Sequence, residues 1–463
     1  MKKTLAMILA LCLCTAVFTG CGDQSSDESK ATENSSAASD KNDGDEEAPD
    51  DGEPPQEGDN AGEGDDGSDA EAPVGDTPSE QLLAQYPVND GAYDFTQGAT
   101  ENMMGRALLN RGDTSRLAAK MQRAIDDPKS ITNICYLGDS ITAGTGASTS
   151  SNQYVSQITE WWENNWDSYV LGTNAGIGAT DSYCAVHRAD RDIPPESDII
   201  FIEFINDQDN ELYESTMDSL VRKCLAMENN PAVIIIEPST EGGGSPQNAH
   251  LKIAQAYDIP MISYNDAIQP EIAAGNFAWS DTSSDTVHPN DAGHTVMAQC
   301  VTNLFQQVLD NIDNENKEVT PFDPAAVESP TGDKFANAML GNVYATDAVD
   351  LVDPGTFTGD AYFQSFTGGW ASTEGGSATF EITCKNLGML YMKNIKGEQG
   401  QISVKVDDEP AVLINGDFPG GWGNYAKCDE IYSSDETATH TVTVEFINGD
   451  TNPKFQILSW LIS

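Results

Sequence analysis

Four short stretches hold the residues whose types and spacing could do chemistry. Gly138-Asp139-Ser140-Ile141-Thr142 sets a hydroxyl directly after an apolar run. Serine is a weak nucleophile until a nearby base takes its proton. Asp285-Thr286-Val287-His288-Pro289 offers that base, with an acid three residues before a histidine. On a short loop this spacing lets the carboxylate reach the imidazole, fix its tautomer and stabilise the imidazolium that forms. Between these two stretches lie Asn174-Ala175-Gly176-Ile177-Gly178-Ala179-Thr180 and Phe204-Ile205-Asn206-Asp207. Acyl transfer develops an oxyanion, which needs preorganised donors. Small residues leave backbone N–H groups accessible, and Asn206 can offer its side-chain amide. Taken singly, each stretch has a plain structural reading: Gly-Asp-Ser is common in turns, and Asn-Asp caps helices. Their order along one chain is what points to chemistry.

Elements that could position these residues are visible from about 100 to 313. Short apolar runs at Ile131–Leu137, Ser168–Thr173, Asp198–Phe204, Ala232–Ile236 and Pro260–Ser263 predict strands. Near-continuous runs such as Ile199-Ile200-Phe201-Ile202 suit a sheet covered on both faces. Between them, Met217, Leu220, Val221, Cys224 and Leu225 follow a helical period, as do Met297, Cys300, Val301, Leu304, Phe305 and Val308. Strand–helix alternation predicts a parallel α/β sheet, with ligands at the carboxyl ends of its strands. Each chemical stretch follows a predicted strand. Glu203, inside an apolar strand, requires a buried partner, and Arg188 and Arg222 are the candidates. After about 320 the pattern becomes β-rich at 378–384, 389–393, 401–406, 411–414, 440–446 and 455–462, with Asp407-Asp408 as a turn. A β-sandwich or jelly roll over 320–463 is expected.

Together the ordered blocks resemble the SGNH, or GDSL-like, ester hydrolases over roughly residues 110–313. The likeness extends to Pro260-Met261-Ile262-Ser263-Tyr264 and His288-Pro289-Asn290-Asp291-Ala292-Gly293-His294. It implies a flavodoxin-like three-layer α/β/α hydrolase domain over 81–319 that needs no metal or cofactor. By that resemblance Ser140 is the nucleophile, His288 the base and Asp285 its orienting partner. The oxyanion donors would be the Ser140 N–H, a backbone N–H of the Gly178-Ala179 turn and the Asn206 side chain. Two positions depart from the family. Its oxyanion glycine aligns with Ala179, and Phe204 replaces the glycine two residues before the asparagine. His294 falls at the family's structural Gly-His, whereas His187 and His250 have no partner in sequence.

The ends of the chain bear on where such chemistry happens. Met1-Lys2-Lys3, the apolar run Leu5 to Phe18 and Thr19-Gly20-Cys21 read as a signal over 1–20. The run is too short for a good membrane span. Cys21 resembles the lipid-modified first residue of a bacterial lipoprotein, although Phe18 stands where leucine is usual; a secreted protein is the alternative. Residues 22–80 hold 21 Asp and Glu against two Lys, with almost no large apolar residue. Such a segment cannot offset its ordering entropy, and reads as a self-repelling tether over 21–80 with a reach of about 200 Å. Removing its charge of −19 and the +2 of Lys2-Lys3 from the total of −52 leaves −35 for residues 81–463. That argues against nucleic acid and against anionic lipid or anionic polymers as partners, because phosphate binding needs clustered Lys and Arg.

Of nine Cys, six (Cys135, Cys184, Cys224, Cys300, Cys384, Cys428) lie beyond the signal without a CxxC, which argues against a zinc site. Most read as buried apolar thiols, with Cys384–Cys428 as a conceivable disulfide. A surface anchor, an acidic head and a β-sandwich suggest a serine esterase at the extracellular face of the membrane. It would remove O-acetyl groups from a polysaccharide, with Trp370 and Trp422 as candidate sugar platforms. The rival readings are a lipase or arylesterase for longer acyl chains and a non-catalytic glycan-binding lipoprotein. The intact Ser140, Asn206, Asp285 and His288 argue against the last.

Overall fold

The computed structural model describes residues 75–95, 98–166, 168–345, 347–447 and 452–463. The signal, Cys21 and nearly all of the expected tether lie outside these residues. The tether's expected end does not hold as drawn. Thr77 and Glu80 form a capping box that starts a helix at Pro78–Gln85, and Ser79 Oγ donates to Asp266 at 2.8 Å.

Six strands build the first sheet: β1 (Leu108–Asn110), β2 (Ile131–Gly138), β3 (Tyr169–Gly176), β4 (Ile199–Glu203), β5 (Ala232–Glu237) and β6 (Met261–Ser263). Their order is β1-β6-β5-β4-β2-β3. All pairings are parallel except that of β1, an antiparallel edge strand. Alternation along the strands divides the core between two faces. Ile134, Tyr136, Ile199, Phe201, Ile234 and Ile236 pack with helices Ser115–Asp126, Tyr154–Asn165 and Asp291–Asp310. Cys135, Leu137, Ile200, Ile202, Val233 and Ile235 pack with Ser182–Asp192, Glu211–Leu225 and Gln247–Ala256. This is the expected three-layer arrangement, and its strand order reverses between β2 and β4. Ligands of open α/β sheets bind at such a reversal.

The second part is antiparallel: β7 (Met339–Gly341), β8 (Val349–Asp353), β9 (Thr358–Phe363), β10 (Phe366–Ser372), β11 (Ser377–Lys393), β12 (Gln401–Val406), β13 (Val412–Asn415), β14 (Tyr425–Phe446) and β15 (Phe455–Ile462). Segments 378–384 and 389–393 are one strand, not two. Its register shifts between Cys384 and Asn386, so it pairs with β8 at Thr379–Ile382 and with β15 at Leu387–Tyr391. Such irregularities bend a strand and re-aim its pairing, which closes the sheet over its own core. That core holds Trp370, Phe380, Met389, Val404, Phe455 and Trp460. Phe335, Ala361, Phe366, Leu390, Ala426 and Leu461 belong instead to the core of the α/β part, with helix Ser182–Asp192. The two parts therefore share buried apolar surface.

The Cys384–Cys428 pairing is excluded. Cys384 sits opposite Ala438 and Cys428 opposite Leu390, six residues along β11, or about 20 Å. Cys428 instead meets the thiol of Cys184, and both are free.

Candidate active site

Ser140 opens a four-residue helix, Ser140–Ala143, at the carboxyl end of β2. Being first, its N–H has no acceptor within that helix. The sharp turn depends on two missing side chains. A Cβ on Gly138 would lie 2.0 Å from Thr142 Oγ1, and one on Gly176 would lie 2.3 Å from the Ala143 nitrogen.

Ser140 Oγ is 2.9 Å from His288 Nε2, and His288 Nδ1 is 2.7 Å from Asp285 Oδ2. The second Asp285 oxygen accepts the Val287 and His288 N–H groups, each at 2.8 Å. The loop is closed by Ser284 N–H donating to His288 O at 2.9 Å and by Trp279 Nε1 donating to Asp285 O at 2.6 Å. Partial burial works against the Asp285 carboxylate, but these bonds, led by the His288 N–H, hold it below the usual range. An ionised acid at Nδ1 leaves Nε2 free to accept the serine proton. The three residues thus stand in one hydrogen-bonded line.

The turn Ile177–Thr180 borders Ser140. It is closed by Thr180 N–H and Oγ1, both donating to Ile177 O, at 3.3 and 2.7 Å. A Cβ added to Gly178 would sit 3.8 Å from Ser140 Cβ. Ala179 has φ of 63°, the left-handed region, which costs an L-residue about 1–2 kcal/mol. That explains why the family places glycine there; alanine tolerates the same backbone under strain. Asn206 differs from expectation. Its amide spends both hydrogens, on Asp139 Oδ2 and on Thr180 O, each at 3.0 Å. At rest it braces the turn and leaves no free N–H for an oxyanion.

Sequence reasoning passed over Asp139 as more than a neighbour of Ser140. It caps Ile141 N–H at 3.0 Å with one oxygen and receives Ile205 N–H at 2.9 Å and the Asn206 amide with the other. Burial pushes its carboxyl up to about 7 against those bonds, with Asp207 adding to the rise. Neither arginine expected beside Glu203 reaches it. Arg188 donates to Ala175 O, Gly138 O and Asp192, and Arg222 to Tyr257, Pro324 O and Val327 O. Thr142 serves instead, through N–H at 3.1 Å and Oγ1 at 2.6 Å. Burial, then the Asp139 charge, raise Glu203 well above the usual range.

Phe204 is fully buried and packs beneath the site rather than lining it. His294 is structural: Nε2 lies 3.2 Å from Thr145 O and Nδ1 accepts Tyr154 N–H at 3.4 Å. His187 is held by Tyr183 O at 2.7 Å. Trp370 is buried against Phe380, so it offers no sugar platform. Trp422 is 71% exposed and stacks on Tyr425 with centroids 4.8 Å apart. Tyr425 and Lys427 meet Ala179, Thr180 and Tyr213 around a pocket of about 150 Å³. Gln364, also from the β-rich part, donates to Gly178 O at 3.2 Å. No pattern in the sequence signals these approaches, because they join residues far apart in the chain. A larger pocket of about 510 Å³ surrounds Ala232 and Pro260, at the amino ends of β5 and β6, away from Ser140.

Fold and constellation define a hydrolase of the serine-histidine-acid type on an open α/β sheet. Residues 136–296 match the GDSL-like lipase/acylhydrolase family. The crystal structure of a two-domain esterase active on acetylated mannans, co-crystallised with mannopentaose, is 29% identical, with a TM-score of 0.69 over 77% of this chain and 96% of that one. A second structure of a two-domain esterase active on acetylated mannans gives the same identity and TM-score, over 77% of this chain and 97% of that chain. No curated protein matches the sequence. The chain thus carries a GDSL-like, or SGNH, hydrolase domain and is a carboxylic ester hydrolase.

Proposed function

We propose that the protein deacetylates an O-acetylated polysaccharide outside the cell, through an acyl-enzyme on Ser140. The hydrogen-bonded line Ser140–His288–Asp285 carries the reading. Ser140 Oγ forms a bond to the acetyl carbonyl carbon while its proton passes to His288 Nε2. The oxyanion meets the Ser140 N–H and a backbone N–H of the Gly178-Ala179 turn. Asn206 joins them by exchanging its bond to Thr180 O for one to the substrate. His288 then returns the proton to the sugar oxygen as the ester C–O bond breaks. Water repeats the cycle, releasing acetate and restoring Ser140.

Two observations support a carbohydrate ester. The similar two-domain esterase acts on acetylated mannans. Tyr425, which lines the pocket at Ala179, stacks with the exposed Trp422, an aromatic pair of the kind that ligand sites use. Rates of acetate and octanoate release from matched esters, and acetate release from acetylated glycans, test this. Acetate is expected to leave at least about ten-fold faster, since acyl discrimination of this size is within reach of one pocket. Faster octanoate release would point to a lipase or arylesterase, and glycan binding without turnover to a binding protein.

For location, the reading rests on the signal over 1–20, Cys21 and the acidic stretch that follows. Lipid on Cys21 holds the hydrolase at the outer face of the membrane. Cys21→Ser is expected to move activity from the membrane fraction to the medium. Activity that stays with the membrane would remove the anchor from the account.

A further inference from the structure

Behind the Ser140 loop lies an ionic cluster that acyl transfer does not use. His250, in helix Gln247–Ala256, is fully buried. Its Nδ1 is 2.9 Å from Glu237 Oε2 and its Nε2 is 3.0 Å from Asp207 Oδ2. A neutral imidazole has one N–H and would leave a nitrogen lone pair facing a carboxylate. Two acceptors, one at each nitrogen, call for the doubly protonated ring.

The cluster ties together the loops around the oxyanion. Glu237 ends β5 and also accepts the Ser245 hydroxyl. Asp207 directly follows Asn206. Its other oxygen accepts Ser182 N–H at 2.8 Å, at the start of the helix that follows the Gly178-Ala179 turn. The Asn206 loop is thus gripped on one side by Asp139 and on the other by His250 through Asp207.

We propose that His250 is a positioning residue for ester hydrolysis: a buried imidazolium that, through Asp207, sets the Asn206 loop and the oxyanion turn in their working geometry. This rests on the acyl-transfer reading of Ser140. Burial opposes the charge on the ring, but Glu237 and then Asp207 hold its pKa up to about 10. Farther out, Asp139 and Asp181 add negative charge around Asp207, and Lys427 faces Asp181. The ring's ordinary value is 6.5, so the cluster's stabilisation is complete below about that pH and is lost as pH rises through about 10.

The test uses the full catalytic chain with ¹⁵N-labelled histidine, and compares wild type with His250→Gln. Both ring nitrogens of His250 are expected to carry protons at pH 8, and the alkaline loss of kcat is expected to follow their titration. His250→Gln is expected to lower kcat about ten-fold or more with KM within about two-fold. A bare ring nitrogen at pH 8 overturns the proposal, and so does a folded variant with wild-type kcat or with its loss confined to KM. If His250→Gln does not fold, the wild-type ring titration decides alone. Full activity in Ser140→Ala would sink the acyl-transfer reading instead, and the two failures are distinct.

Discussion

Ser140→Ala is expected to lower kcat by about three or more orders of magnitude without unfolding the protein. In the proposed acyl transfer the hydroxyl oxygen bonds to the acyl carbon, and nothing else in the line can take its place. His288→Ala is expected to cost a similar factor, because an unassisted serine is a poor nucleophile. The double variant should be scarcely slower than either single one, since the residues act as a unit and the residual rate comes from the oxyanion donors and substrate binding. Steady-state kinetics on an acetyl ester, with the melting temperature as a check on folding, provide the measurement. Additive losses would mean that Ser140 and His288 do not share one proton transfer, despite the 2.9 Å between them.

Arg106→Met is expected to destabilise the protein by about 3–5 kcal/mol, the largest effect anticipated away from the site. Arg106 and Glu271 are both buried, and their side chains meet at 2.5 Å. The guanidinium uses all five of its donors: on Asp266 O, Tyr86 O, Pro87 O, Ala267 O and Glu271. It therefore pins the segment after helix Pro78–Gln85 to helix Tyr264–Ala273. Methionine matches the stem but leaves Glu271 as a buried charge without its cation, held only by Asn89 N–H and Asn276. Replacing both partners, Arg106→Met with Glu271→Leu, should recover much of the loss, because the penalty comes from the orphaned charge. Chemical denaturation of the three variants separates these outcomes. A single variant as stable as wild type would show that the Arg106–Glu271 pair contributes nothing to stability.

The strands of the parallel sheet were legible because burial on both faces leaves near-continuous apolar runs, such as Ile199–Ile202. β1 was not, since three residues at an edge carry no period. In the second part, β8 and β9 escaped because most of their residues are exposed, which leaves no apolar alternation to mark them. The bends of β11 and β14 escaped because a strand's change of partners is written in its neighbours and not in its own alternation. The Asp285–His288 spacing was legible for a different reason. Both residues sit on one loop, so the bond between them is a local event.

What the amino-acid order contained about this protein is therefore its local chemistry and its periodicities. These are the Gly-Asp-Ser turn after a buried strand, the acid three residues from its histidine, and the alternation that makes an α/β sheet. Contacts across long separations belong to the folded state. Asn206 offered an amide in the sequence, but Asp139 and Thr180 occupy both of its hydrogens. His250 had no partner nearby in sequence, but two carboxylates, 13 and 43 residues away, close on its ring. Gln364 came from the β-rich part to reach the oxyanion turn. A hydrogen bond requires about 3 Å and a fixed direction, and only chain packing brings residues so far apart in sequence within that range.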